Sequence, residues 1–249
     1  MKKAVLMDID GTVSIEQDII PGAKEAIDTI RDMGLRVLFF TNNSQRTRGS
    51  IAEKLKKMGI DCCEEDVVNS GYVAASYVKN KGLKDVYVSG AEGLISMFEE
   101  QGIQMVPWDK CRTLVIGMDS NYDYSKMKTA VNAALRAETI IACNEDKVYR
   151  CSEDLYCPGC GAMSACVEFC SGKKIDTVIG KPNAPMINHV CEVFGLEKKD
   201  LLIVGDSYES DGLAGISNGV DAVLIGESRE DIPSIADISE LPILLRNFN

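Results

Sequence analysis

Histidine is nearly absent from these 249 residues: there is one, His189. A zinc site of the HExxH kind needs two, and a Ser-His-Asp triad would have to use this one. It sits in Pro185-Met186-Ile187-Asn188-His189-Val190-Cys191, a helical pattern, and reads as an ordinary surface or half-buried helix residue. Basic charge is also short. Twenty-seven Lys and Arg face 38 Asp and Glu, a formal net charge of −11. Gripping nucleic-acid backbone needs clustered cations, which this balance does not favour. No apolar run approaches the roughly 20 residues that span a bilayer. After Met1-Lys2-Lys3, only Ala4 to Met7 precede Asp8, far short of the about 7–15 apolar residues of a signal-peptide core. The expectation is a cytoplasmic protein with neither a nucleic-acid nor a membrane partner. Repeats, low-complexity tracts and Pro- or Ser-rich linkers are missing too.

What is present in quantity is cysteine, with ten residues. In the cytoplasm these are expected as reduced thiols rather than a disulfide framework. Cys157-Pro158-Gly159-Cys160 is a CxxC, and Cys166 with Cys170 adds a CxxxC on a helical stretch. A structural zinc on those four sulfurs is open. A thioredoxin-like role is weaker, since no strand leads directly into the CxxC.

The length suits one large domain or two modest ones at about 150 residues each, and 45% apolar content is ordinary for a folded chain. Short apolar runs alternate with amphipathic stretches. Val5-Leu6-Met7 reads as a strand ending at Asp8. Pro21 and Gly22 open a helix with apolar Ala23, Ala26, Ile27, Ile30 and Met33, closed by Gly34. Leu35 to Phe40 is a strand, continuously apolar over Val37 to Phe40 as a sheet covered on both faces requires. A helix with Ile51, Leu55 and Met58 follows. The last third repeats the rhythm: strand Asp176 to Ile179, helix Met186 to Phe194, strand Leu201 to Val204, helix about Ser210 to Ser217, strand Ala222 to Ile225. Alternating strand and helix predicts an α/β fold, a Rossmann-like parallel sheet with helices on both faces. The middle has its own strand–helix rhythm, so residues 80–174 are expected as an inserted α/β domain within a core of 1–79 and 175–249.

In a parallel sheet, ligands gather at the carboxyl ends of strands. Those ends carry Asp8 and Asp10, Thr41 and Asn42, Lys181, then Asp206 and Asp211. Two carboxylates about 4 Å apart repel by roughly 4 kcal/mol at an effective dielectric of 20. A lysine offsets part of that. A divalent cation offsets more, and an all-oxygen donor set with few protein ligands suits Mg²⁺. A hydroxyl at Thr41, Lys181 and backbone N–H groups would hold anionic oxygens, which describes a phosphoryl group. Asp8 is then the candidate nucleophile and Asp10 the candidate proton donor. Gly11 permits the tight turn that brings amides to the phosphate. Gly215-Ile216-Ser217-Asn218-Gly219 fits the GxSxG pattern, but a helix precedes it and a strand follows, the reverse of a nucleophile elbow.

Asp8-Ile9-Asp10-Gly11-Thr12 resembles the first motif of the haloacid dehalogenase superfamily of phosphatases. Thr41 resembles the second, Lys181 in Gly180-Lys181-Pro182 the third, and Gly205-Asp206 through Asp211 the fourth. With Thr41-Asn42-Asn43-Ser44 and Pro158-Gly159-Cys160-Gly161-Ala162, the chain is similar to the NagD-like and p-nitrophenyl-phosphatase-like subfamily, in which an α/β cap is inserted between the second and third motifs. The resemblance implies a Mg²⁺-dependent phosphomonoesterase acting on a small phosphorylated metabolite. It implies Asp8 as nucleophile and metal ligand, and Asp10 as acid/base with its carbonyl on the metal. Gly11, Thr41 and Asn42 would contact phosphate, with Lys181 neutralising charge. Asp206 would be a metal ligand and Asp211 a supporting one. The cap segment about Glu153 to Met163 is expected to face the site. Ser210 stands where threonine is usual, and Cys160 where a small residue is common. Similar proteins often form homodimers through the cap. A phosphotransferase or phosphomutase on the same scaffold, and a non-catalytic phospho-ligand sensor, stay open as alternatives.

Overall fold

Every residue of the Ala4–Met7 strand is buried, as a strand covered on both faces must be. It is an inner strand of a six-stranded sheet of order Ser234–Ile235, Asp221–Ile225, Leu201–Gly205, Ala4–Met7, Arg36–Thr41, Val67–Asn69. It pairs in parallel with Leu201–Gly205 on one side and Arg36–Thr41 on the other, and the parallel pairing continues outward through Asp221–Ile225 to Ser234–Ile235. Parallel neighbours need crossovers, and helices such as Ala23–Asp32 and Leu213–Asn218 supply them. Ala23, Ala26, Ile27 and Ile30 are the buried residues of the first helix, the positions its periodicity marks. They pack with Val5, Met7, Val37, Phe39, Leu202 and Val204. Those six alternate along their strands, so they line one face of the sheet.

The computed structural model describes residues 2–152 and 155–246. It divides into two compact units, Met1–Thr41 with Arg48–Val68 and Lys181–Asn249, and Asn42–Thr47 with Asn69–Gly180. The second unit has its own four-stranded parallel sheet, ordered Thr177–Val178, Thr139–Ala142, Thr113–Ile116, Val86–Ser89. Ser70–Asn80, Glu92–Glu100, Tyr124–Arg136 and Cys160–Ser171 are its helices, and Val148–Ser152 with Leu155–Pro158 forms an antiparallel ribbon. No helix among the described residues is long and apolar enough to cross a membrane.

Four features depart from the sequence expectations. Residues 70–79, expected in the core, lie instead on the helix Ser70–Asn80 of the second unit. A Cβ on its Gly71 would meet Met97 and Leu94, Gln101 reaches the carbonyl of Tyr72 and the hydroxyl of Ser76, and these partners belong to the second unit too. The strand at 177–178 also joins the second sheet: Thr177 pairs with Ile141 and Val178 with Ala142, and Asp176 accepts the Ile140 N–H at 2.7 Å. The helix expected from 210 begins at Leu213, after a wider-wound turn over Tyr208–Gly212. Finally, Cys157 is disulfide-bonded. It lies on the two-stranded ribbon, and the expectation of reduced thiols does not hold for it. Cys160, Cys166 and Cys170 are free thiols, and no sulfur cluster able to hold a metal occurs among the described residues. Residues 153 and 154 of the expected site-facing segment lie outside the described residues.

Candidate active site

The site of the first unit begins where the Ala4–Met7 strand ends. Asp8 continues the ladder by one bond, its N–H donating to the Val204 carbonyl at 2.8 Å. Its side chain is thereby fixed beside the end of Leu201–Gly205, the strand that delivers Asp206. Asp211 follows in the wide turn after that strand, where its carboxylate accepts the Ser207 N–H at 3.3 Å. Lys181 closes the group from a remote stretch. Its Nζ donates to Asp8 Oδ1 at 2.5 Å and to Asp211 Oδ1 at 2.7 Å. Both Lys181 and Asp211 are only 2% exposed. The ammonium also lies 5.6 Å from the centre of the Phe40 ring, one residue before Thr41, which ends its strand buried.

Oxygens of Asp8, Asp206 and Asp211, one from each, all lie within 4.8 Å of one another. Burial drives the Asp8 carboxyl well above its ordinary range, the Lys181 ammonium pulls it back, and Asp211 and Asp206 push it up again. Asp206 is raised for the same reasons, burial first and then Asp211. For Lys181, burial works against its charge, but Asp211 and Asp8 outweigh it and leave the ammonium more basic than usual. Three carboxylates against one lysine leave the group formally short of positive charge. Hard oxygen donors at this separation fit a divalent cation of the Mg²⁺ kind, so these residues could hold one.

Two glycines are dictated by this crowding. A Cβ on Gly11 would stand 2.2 Å from Asp206 Oδ2, and its φ is +98°. A Cβ on Gly205 would stand 2.0 Å from Asp211 Cγ. Thr12, given no role in the sequence reading although it sits in the first motif, donates weakly to Asp206 at 3.4 Å. Asp10 is not part of the carboxylate cluster: its side chain turns to Lys54 on the Arg48–Lys57 helix, at 3.2 Å. Nothing in the sequence singles out Lys54 among its neighbouring lysines.

Asn42 belongs to the second unit. Its amide donates to Asp146 at 3.0 Å, and its carbonyl accepts from Ser70 and Asn144, each at 2.7 Å. Ser44 takes the Met118 N–H at 2.9 Å. The loop after Thr41 is therefore fastened within that unit, which the motif did not foretell. His189 is partly buried in its helix, and burial lowers its basicity. No metal-binding group among the described residues includes it.

Comparison with known proteins agrees with this arrangement. Residues 5–104 match a haloacid dehalogenase-like hydrolase family model, and residues 178–240 match a HAD-hydrolase-like one. The acid sugar phosphatase of Staphylococcus aureus is 34% identical over 222 residues, covering 89% of this chain and 85% of that protein. The solved p-nitrophenyl phosphatase of Archaeoglobus fulgidus superposes with a TM-score of 0.90 at 26% identity, covering 98% of this chain and 99% of the other. The 4-nitrophenylphosphatase of Thermotoga maritima does so at 0.90 and 28%, covering 97% of each. The chain belongs to the haloacid dehalogenase-like hydrolases. Within them it falls with the NagD-like and p-nitrophenyl-phosphatase-like enzymes, as its motifs imply.

Proposed function

We propose that this chain is a Mg²⁺-dependent phosphomonoesterase that hydrolyses small sugar or aryl phosphates through an aspartyl-phosphate on Asp8. The observation that carries the reading is the buried Asp8 carboxylate, held by Lys181 and gathered with Asp206 and Asp211. A carboxylate that burial makes costly to keep charged, yet that a lysine keeps available, is suited to attack phosphorus. A Mg²⁺ ion on Asp8, Asp206, Asp211 and the Asp10 carbonyl would draw charge from the phosphoryl oxygens.

Every other step falls to the chain itself. An oxygen of Asp8 bonds to phosphorus as the ester P–O bond breaks. Asp10 gives its proton to the departing oxygen, then takes one from the water that hydrolyses the aspartyl-phosphate. Gly11, Thr41 and Asn42 are read as phosphate contacts, and Lys181 offsets the charge of Asp8 and Asp211 throughout. The second unit is assigned the cap's task of sorting leaving groups, and the enzyme is placed in the cytoplasm.

The test is phosphate release from p-nitrophenyl phosphate and a panel of sugar phosphates with Mg²⁺. Asp8→Asn should lower kcat by roughly 10⁴-fold or more, the scale on which loss of a nucleophile acts. Equal activity of the two proteins would overturn the reading.

A further inference from the structure

Lys54 stands apart from the charged residues around it. Glu53, Lys56 and Lys57 are exposed, and Lys56 merely pairs with Glu53 in solvent. The Lys54 side chain is 12% exposed, and its Nζ reaches across 44 positions of sequence to Oδ1 of Asp10 at 3.2 Å. Asp10 is the open partner, at 57%. Both ends of this pair are already ordered. The turn that carries Asp10 is fixed by its own amides: Gly11 donates to the Ser14 carbonyl at 2.8 Å, and Val13 and Ser14 both donate to Ile9 at 2.9 Å. The lysine stem is covered on a helix whose Ile51, Ala52 and Leu55 are buried. The ordering entropy that cancels most surface ion pairs is therefore small here.

We propose that Lys54 is a positioning residue for the acid/base Asp10. By tethering Oδ1 it fixes where the second oxygen points, first at the leaving group and then at the incoming water. This rests on the assignment of Asp8 as nucleophile and Asp10 as acid/base. In the first step the Asp8 oxygen–phosphorus bond forms and the ester P–O bond breaks. The Asp10 proton passes to the ester oxygen, which leaves as the alcohol. In the second step water bonds to phosphorus and gives its proton to Asp10. The Asp8 oxygen–phosphorus bond then breaks and phosphate departs. A carboxyl free to rotate spends much of its time misaligned for both transfers.

The two esters p-nitrophenyl phosphate and phenyl phosphate separate this role from a structural one. They are similar in shape, but p-nitrophenolate leaves readily without a proton and phenolate does not. Steady-state kcat/KM reports the step in which the alcohol departs, when that step is irreversible. Lys54→Met should lower kcat/KM for phenyl phosphate by about 30-fold, short of the roughly 10²–10⁴-fold that loss of the general acid itself would cost, and that for p-nitrophenyl phosphate by less than about threefold, because little proton donation is lost there. Lys54→Arg should restore most of the phenyl phosphate rate. In an Asp10→Asn background, Lys54→Met should cost nothing further, as residues acting through one another are not additive.

Equal losses on both esters, additive losses in the double variant, or a faster Lys54→Met enzyme would each overturn the proposal. If Lys54→Met does not fold, Lys54→Gln, which keeps most of the stem, carries the same comparison. A wild type that is inert, or indifferent to Asp8→Asn, removes the underlying assignment and the tether with it. An Asp8-dependent enzyme with an unchanged Lys54→Met response removes the tether alone.

Discussion

At the scale of the residue, Lys181 holds together a group that would otherwise repel itself. Asp8 and Asp211 both lie in a buried space, and the one ammonium bonded to both draws them together. Removing one member of a buried pair leaves charge without compensation, which typically costs about 3–5 kcal/mol. Lys181→Met should therefore lower unfolding free energy by about 3 kcal/mol in chelator, read from urea denaturation. The loss should shrink when Mg²⁺ is added, because a cation among the same oxygens replaces part of the missing charge. A variant as stable as wild type in chelator would refute this account of Lys181.

At the scale of the element, the turn after Ala4–Met7 decides how closely the strand ends can approach. The backbone at Gly11 has φ +98°, a conformation that glycine adopts readily and L side chains avoid. Asp206 fills the space where a Cβ would go. Gly11→Ala thus adds backbone strain of about 1–3 kcal/mol and displaces a carboxylate of the candidate metal site. The expected result is a protein that still folds, since the alternating apolar residues of the sheet are untouched, but whose Mg²⁺ requirement shifts upward at least about tenfold, equivalent to about 1.4 kcal/mol. A Mg²⁺ titration of phosphatase activity checks it, and an unchanged half-saturation would refute it.

At the scale of the whole molecule, a cation that binds only the folded site stabilises the first unit by mass action. At a hundredfold excess over its dissociation constant this amounts to about 2.7 kcal/mol. Thermal melts of the full chain should move up by several degrees between EDTA and millimolar Mg²⁺, and Asp206→Asn should abolish most of that movement. A shift of equal size in Asp206→Asn would place the stabilising ion elsewhere. The net charge of −11 supplies a non-specific background, so sodium at matched ionic strength is the control.

Periodicity along the chain was sufficient for the parallel α/β sheet. Buried strands must be apolar throughout and helices must present one apolar stripe, and Val37 to Phe40 and the Ala23–Ile30 stripe obey those rules locally. The motifs also carried Asp8, Lys181, Asp206 and Asp211, because each sits where a local pattern breaks off into a polar turn. Three things were not legible there. Residues 177–178 have a strand's composition in either sheet, and only pairing with Ile141 and Ala142 assigns them to the second. Cys157 looks like any other thiol until a partner is near. Lys54 is one helix lysine among several, and its meeting with Asp10 depends on how the helix is laid against the turn. Amino-acid order thus determined the elements and the charged residues at their ends, since both follow from neighbours along the chain. Tertiary structure decided the sheet membership of residues 177–178 and the companion of Asp10, since each is a contact between segments far apart in sequence.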